Sequence, residues 1–220
     1  NEGKEVLRVN KQKFHSELKN LLKYYDKLDA FVFFKLVHVA YDKAINNYEP
    51  KSMIFYHIHN PDTYAQLNFA RFNPNTNWLL MVREPIQSLE SWAKFKFLAN
   101  DHFGVASAIF TMLFEIDNSI YNGPKALGIR LEDLKKKPVK TMQALCKWMG
   151  IEESKNLYEM TVQGKKWWGD PSSQDYLNDG MEPFGKTSIK RKVGSIFSEN
   201  DQFILRTLFY PFSVRFGYME

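Results

Sequence analysis

Three groups of residues in this chain have the types and spacing that chemistry needs. The first lies between Trp78 and Trp92, WLLMVREPIQSLESW. Arg83 carries a planar, permanently charged fork of donors suited to a phosphate, and Ser91, further along the same stretch, adds a hydroxyl donor. Ser88 and Ser91 are three residues apart and share one face of a helix. The same residues also fit a plainer arrangement, in which Arg83 pairs with a local carboxylate and Ser91 caps a helix or faces water. The second group is His57 and His59, whose rings point the same way on an extended backbone. They suit hydrogen-bonded core positions or part of a metal set, but no third ligand follows at convincing spacing, which disfavours a metal. The third group is Gly180–Thr187, GMEPFGKT, a literal match to a Walker-type loop with Lys186 for phosphates and Thr187 for Mg²⁺. Its context is wrong. Residues 173–179 are polar where a buried strand is required, and Pro183 and Phe184 fall where backbone N–H groups must converge.

The elements that position these groups follow from hydrophobic periodicity. Residues 10–28 predict an amphipathic helix, and 30–46 a more apolar one. Continuous apolar runs at 51–58 and 77–82, and a third run at 126–131, predict buried strands. Helical segments between and after them (63–72, 85–98, 104–121 and one opening at Pro138 and closed by Gly150) predict an α/β fold, a parallel sheet flanked by helices. Arg83 then stands at the carboxyl end of a strand, where open α/β sheets bind ligands. Pro85 opens the next helix, whose first turn is expected to offer free N–H groups and a positive dipole end. Residues 161–190, rich in Gly and Pro and holding Trp167 and Trp168, predict a long loop. Ser198 and Asp201 form a capping-box variant before a last helix expected to end at Pro211.

Composition narrows the classes. The chain has 220 residues, 44% hydrophobic, enough for a single domain with a sizeable core. A formal charge of +5 and a pI near 9.1 favour anionic ligands. The excess is too small and dispersed for nucleic acid, and its densest runs, Lys135–Lys137 and Lys190–Lys192, also fit solvated faces. The single cysteine, Cys146, permits no intrachain disulfide and sits on the apolar face of a predicted helix. No window of about eighteen apolar residues and no apolar leader stands out, so no integral membrane segment is expected and the chain reads as cytoplasmic.

The Arg83–Ser91 segment resembles the 3′-phosphate-binding stretch of sulfotransferases that use 3′-phosphoadenosine-5′-phosphosulfate (PAPS): a buried strand, Arg, an acidic or polar residue, often Pro, and Ser eight positions after the Arg. Two further segments are similar to the family in the same order along the chain. Ile129–Pro138, followed by a helix and Trp148-Met149-Gly150, resembles a strand-then-YEDL block, with Leu131 where the family usually has Tyr and Glu132 expected to order the neighbouring loop. Ser188–Gly194 resembles the basic stretch that closes over the 3′-phosphate.

The resemblance implies a P-loop NTPase-like fold and transfer of a sulfuryl group from PAPS to a hydroxyl or amine of a small-molecule or glycan acceptor. It implies that Arg83, Ser91, Arg191 and Lys192 hold the 3′-phosphate. His59, in a His-x-Pro loop, or His57 would be the general base. Neither metal nor redox cofactor is required by that chemistry. The family's N-terminal phosphosulfate loop, with its Lys, has no counterpart in residues 1–50, which hold one glycine, Gly3. A missing upstream strand and loop are therefore expected. The rival classes are a kinase or NTPase using Gly180–Thr187 and a non-catalytic nucleotide-binding module. Lys186→Ala separates the first: nucleotide binding, measured by calorimetry, is abolished in a P-loop enzyme and is nearly unchanged in a sulfotransferase of this design.

Overall fold

The structure, a computed structural model, describes residues 8–58, 63–162, 165–167, 184 and 193–219. The chain divides into two compact units, Asn1–Thr76 and Asn77–Glu220, within what the sequence reads as one domain.

The first unit is helical. Helix α1 (Lys11–Leu22) is capped by Asn10, whose side chain accepts from the Lys13 N–H, and α2 (Ala30–Ala44) by Asp29, which accepts from Val32 at 2.7 Å. The two pack against each other, and α2 buries Leu36, Ala40 and Ala44, one face at intervals of four. Helix α3 (Thr63–Phe72) completes the described part of the unit.

The strand expected at 51–58 is absent. That segment is irregular and mostly exposed, with Phe55 at 70%. It is held instead by an aromatic cluster. Tyr56 and Phe69 each meet the ring of Phe34 edge-on, at 5.2 and 5.1 Å, and His38 packs on Phe34 at 4.4 Å. An apolar run forms a strand only with a partner for its ladder. No described strand pairs with 51–58, so its apolar side chains are used as single anchors.

The second unit is mixed helix and strand. Strand β1 (Trp78–Val82) lies parallel to β2 (Ala126–Arg130), in register from Trp78 opposite Ala126 to Val82 opposite Arg130. A parallel pair needs a long crossover, supplied by α4 (Pro85–Leu98), α5 (His102–Asp117) and α6 (Ser119–Asn122). The helix expected over 104–121 is thus two, because Asn118 adopts extended backbone and caps α6 by accepting from Ile120. Beyond β2 come α7 (Leu131–Lys136) and α8 (Pro138–Met149). Gly150 ends α8 at φ +69°, and the Gly150 and Ile151 N–H groups donate to Lys147 and Cys146 carbonyls, a Schellman closure. Residues 161–167 of the expected long loop include a two-residue antiparallel pair, β3 (Thr161–Val162) with β4 (Lys165–Lys166); Trp168 lies outside the described residues.

The described core is built by α4 and α5 with α9 (Glu199–Leu208): Ile86, Leu89, Ala93, Ala108, Leu205, Phe209 and the preceding Phe197 are buried together. The capping box forms as expected, with Ser198 and Asp201 exchanging both hydrogen bonds. Pro211 does not end the chain's last helix. It sits in the first turn of a further short one, α10 (Tyr210–Arg215), where its missing N–H costs nothing. One stretch among the described residues, His102–Asn122, is long and apolar enough to cross a membrane by length and composition, which the sequence reading passed over. It is interrupted at Asn118, and Val105, Ala108, Ile109, Met112 and Leu113 of α5 pack into the core.

The C-terminal tail closes on β2. Gly128 faces the ring of Phe216, and a Cβ added to Gly128 would stand 2.1 Å from a ring carbon. Gly128→Ala is expected to destabilise the protein by about 1–3 kcal/mol through overpacking. Chemical denaturation measures this; unchanged stability would show that the tail does not dock on the strand.

Candidate anion-binding site

The junction of β1 and α4 carries the site. The strand ends at Val82, Arg83 follows, and Pro85 starts the helix within two residues. Because β1 and β2 are parallel and in register, the equivalent end of β2 lies alongside, with Arg130 opposite Val82. These two arginines differ sharply. Arg130 is committed: its Nε donates to Asp133 at 2.6 Å, its Nη1 donates to the Gly217 carbonyl at 2.8 Å, and it lies over the ring of Tyr218. The Asp133 hydrogen bond holds Arg130 above, and Asp133 below, their ordinary values. Arg83 is half-buried and makes no hydrogen bond or ion pair among the described residues. The plainer arrangement, Arg83 paired with a local carboxylate, is therefore not seen there.

Carboxylates are close by, but they are used otherwise. Glu84 caps α4, accepting from the Gln87 N–H at 2.6 Å. The Glu84 N–H donates to Glu132 Oε1 at 3.2 Å, and Glu132 Oε2 accepts from the Tyr218 hydroxyl at 2.8 Å. Burial, with the Glu132 hydrogen bond and charge, pushes the Tyr218 hydroxyl above its ordinary range, so it stays a donor. Glu132 thus ties the β1–α4 junction to the C-terminal tail, the loop-ordering part expected of it. The same bonds correct another expectation. The first turn of α4 does not present a row of free N–H groups: Glu84 takes Gln87, Glu132 takes Glu84, Pro85 has none, and Ser88 donates to the Glu84 carbonyl. An acidic N-cap already neutralises the dipole end.

Ser91 is half-buried on α4, six residues beyond Pro85, about 9 Å along the axis. Beside it in sequence is Glu90, a residue the sequence reading did not single out. Glu90 is 4% exposed and faces inward with Ile86, Leu89 and Ala93. Its carboxylate accepts from Gly194 N–H at 2.9 Å, Ser195 hydroxyl at 2.8 Å and Ile196 N–H at 2.6 Å. The sequence carries a signal for it: Ile86, Leu89, Glu90 and Ala93 follow helical spacing, and an acid on a core stripe needs a specific partner. What the sequence lacks is the partner, more than a hundred residues downstream.

The remaining candidates separate. His57 is exposed and belongs to the first unit, and its expected strand is absent. His59, Arg191 and Lys192 lie outside the described residues, as does Gly180–Thr187 except for Phe184, which packs on Tyr158 at 6.0 Å between ring centres. Among the described residues no group of three or more His, Cys, Asp or Glu could hold a metal. No family model matches this chain, and no curated protein or solved structure matches it.

Burial raises the pKa of Glu90, but the hydrogen bonds from Gly194, Ser195 and Ile196 outweigh it, and the net shift is downward. A carboxylate held below its unfolded value stabilises the fold above the ordinary carboxylate range, and that contribution is lost as pH falls through the range to the lowered value. Glu90→Gln is expected to be less stable at neutral pH and to lose less on acidification than the unaltered protein. Denaturation curves between neutral and acid pH test this, and parallel acid limbs would show that Glu90 contributes nothing to it.

Proposed function

We propose that this chain is a PAPS-dependent sulfotransferase of P-loop NTPase-like architecture, and that Arg83 and Ser91 hold the 3′-phosphate of the donor. One observation carries the proposal. Arg83 stands at the carboxyl end of a parallel strand, half-buried and without a counter-ion among the described residues, while Arg130, at the same end of the neighbouring strand, is tied to Asp133 and to the Gly217 carbonyl. A guanidinium is stabilised by an opposite charge, and a phosphate meets its fork with two parallel hydrogen bonds. The spacing of Arg83 and Ser91, with the ordered resemblances downstream, selects the 3′-phosphate of PAPS among phosphate ligands.

In this proposal Arg191 and Lys192 add positive charge to the same phosphate. They immediately precede the segment from Val193 that Glu90 holds at Gly194–Ile196. His59, with His57 as the alternative, removes the proton from the acceptor hydroxyl or amine. The acceptor oxygen or nitrogen bonds to sulfur as the bond from sulfur to the 5′-phosphate oxygen breaks, and 3′-phosphoadenosine-5′-phosphate (PAP) leaves. Catalysis of this kind rests on positioning and on stabilising the charge of the departing phosphate. The acceptor is a small molecule or glycan.

Calorimetry with PAP tests the proposal. The protein is expected to bind PAP, and Arg83→Ala to weaken binding by on the order of a hundredfold, the scale of a lost charge-assisted contact of about 3 kcal/mol. Ser91→Ala should cost about tenfold, the scale of one neutral hydrogen bond. Unchanged affinity in both variants would remove the site. PAP binding without sulfuryl transfer to a broad acceptor panel would favour a non-catalytic nucleotide-binding module.

A further inference from the structure

We infer that Glu90 is a positioning residue for the 3′-phosphate site, holding the backbone of Gly194–Ile196 on α4 at the residue next to Ser91. The inference rests on the reading of Arg83 and Ser91 as that site.

Three features support a dedicated tether. First, a carboxylate that is 4% exposed is costly unless its oxygens are fully satisfied. Every hydrogen bond to the Glu90 carboxylate given above comes from one three-residue segment, 104 to 106 positions away. The charge is therefore aimed at that segment and is not general core packing. Second, the segment is shaped to receive it. Gly194 adopts φ +104°, a region that side chains disfavour, and its N–H meets both carboxylate oxygens, at 2.9 and 3.2 Å. With the Ile196 N–H it forms a small concavity of backbone donors, the arrangement that binds anions. Third, the segment is anchored on its far side as well. Phe197 is buried in the core, its carbonyl accepts from Gln202, and Ser198 caps α9. The backbone at 194–196 is thus held along its length by Glu90 and on its C-terminal side by the core and α9.

Glu90 and Ser91 are consecutive on one rigid helix, so loosening the tether leaves Ser91 and Arg83 in place while releasing the segment that directly follows Arg191 and Lys192 in sequence. Glu90 does not touch the phosphate in this scheme. Its carboxylate is stabilised by the donors of Gly194, Ser195 and Ile196.

The experiment uses the full chain and two nucleotides, PAP and 5′-AMP, which lacks the 3′-phosphate. Glu90→Gln places an amide NH₂ against N–H donors and breaks part of the tether. Ser195→Ala removes one donor from the opposite side and leaves the charge and the site residues in place. Both are measured by calorimetry at a temperature where circular dichroism shows them folded. Glu90→Gln is expected to weaken PAP by about tenfold, or about 1.4 kcal/mol. Ser195→Ala should act in the same direction by a few fold, and 5′-AMP affinity should be unchanged in both. Wild-type PAP affinity in the folded variants, or an equal loss for both nucleotides, overturns the inference and leaves Glu90 a purely structural tether. Ser195→Ala decides the matter if Glu90→Gln fails to fold. A protein that binds PAP no better than 5′-AMP before any substitution loses the Arg83–Ser91 reading itself, and this inference with it.

Discussion

The parallel pairing of β1 with β2 is the constraint on which the second unit depends. Two strands running the same way cannot be joined by a tight turn, so the chain must leave β1, build α4, α5 and α6, and return. That crossover places the start of α4 directly above the end of β1, with the end of β2 beside it. Arg83, Glu84, Arg130 and Glu132 come within one neighbourhood for that reason alone. In sequence Arg83 and Glu84 are adjacent and Arg130 and Glu132 lie two apart, but the two pairs are separated by more than forty residues.

How the charges in that neighbourhood are disposed follows from the rule that a desolvated charge must be satisfied. Glu84 and Glu132 would repel if left facing each other. Instead Glu84 turns to the Gln87 N–H, and Glu132 is divided between a backbone N–H and the Tyr218 hydroxyl. Arg130 takes Asp133 and the tail carbonyl of Gly217. Arg83 stands outside this set of pairings among the described residues. Glu90 repeats the rule within the core, where one carboxylate fixes a distant loop because that loop supplies all the donors it needs.

Much of the local structure was legible from residue order. The periodicity of α1, α2, α4 and α8, the strands at β1 and β2, the Schellman closure at Gly150 and the capping box at Ser198 rest on interactions within a few residues, and such interactions are written in short windows. The failures have two causes, distant partners and one local exception. The run at 51–58 has the composition of a buried strand, but a ladder partner is a property of the sheet, and the side chains went to an aromatic cluster with Phe34 and Phe69. Pro211 reads as a stop, yet it opens another helix because an N-terminal turn tolerates it. The first turn of α4 reads as a row of free donors, yet the Gln87 N–H is taken by Glu84 and the Glu84 N–H by Glu132, 48 residues away in sequence.

By itself the sequence determined the strand–Arg83–helix junction and the spacing from Arg83 to Ser91. Both depend on local backbone preference: an apolar run that favours extension, and Pro85 to begin a helix. Only the tertiary structure decided which charges at that junction are engaged. It paired Arg130 and left Arg83 without a counter-ion among the described residues, and it turned Glu90 from an anomaly on an apolar stripe into the anchor of Gly194–Ile196. The physical reason is that hydrogen-bond satisfaction of a buried charge is a three-dimensional sum. Its donors can come from anywhere in the chain, and no window of sequence contains them.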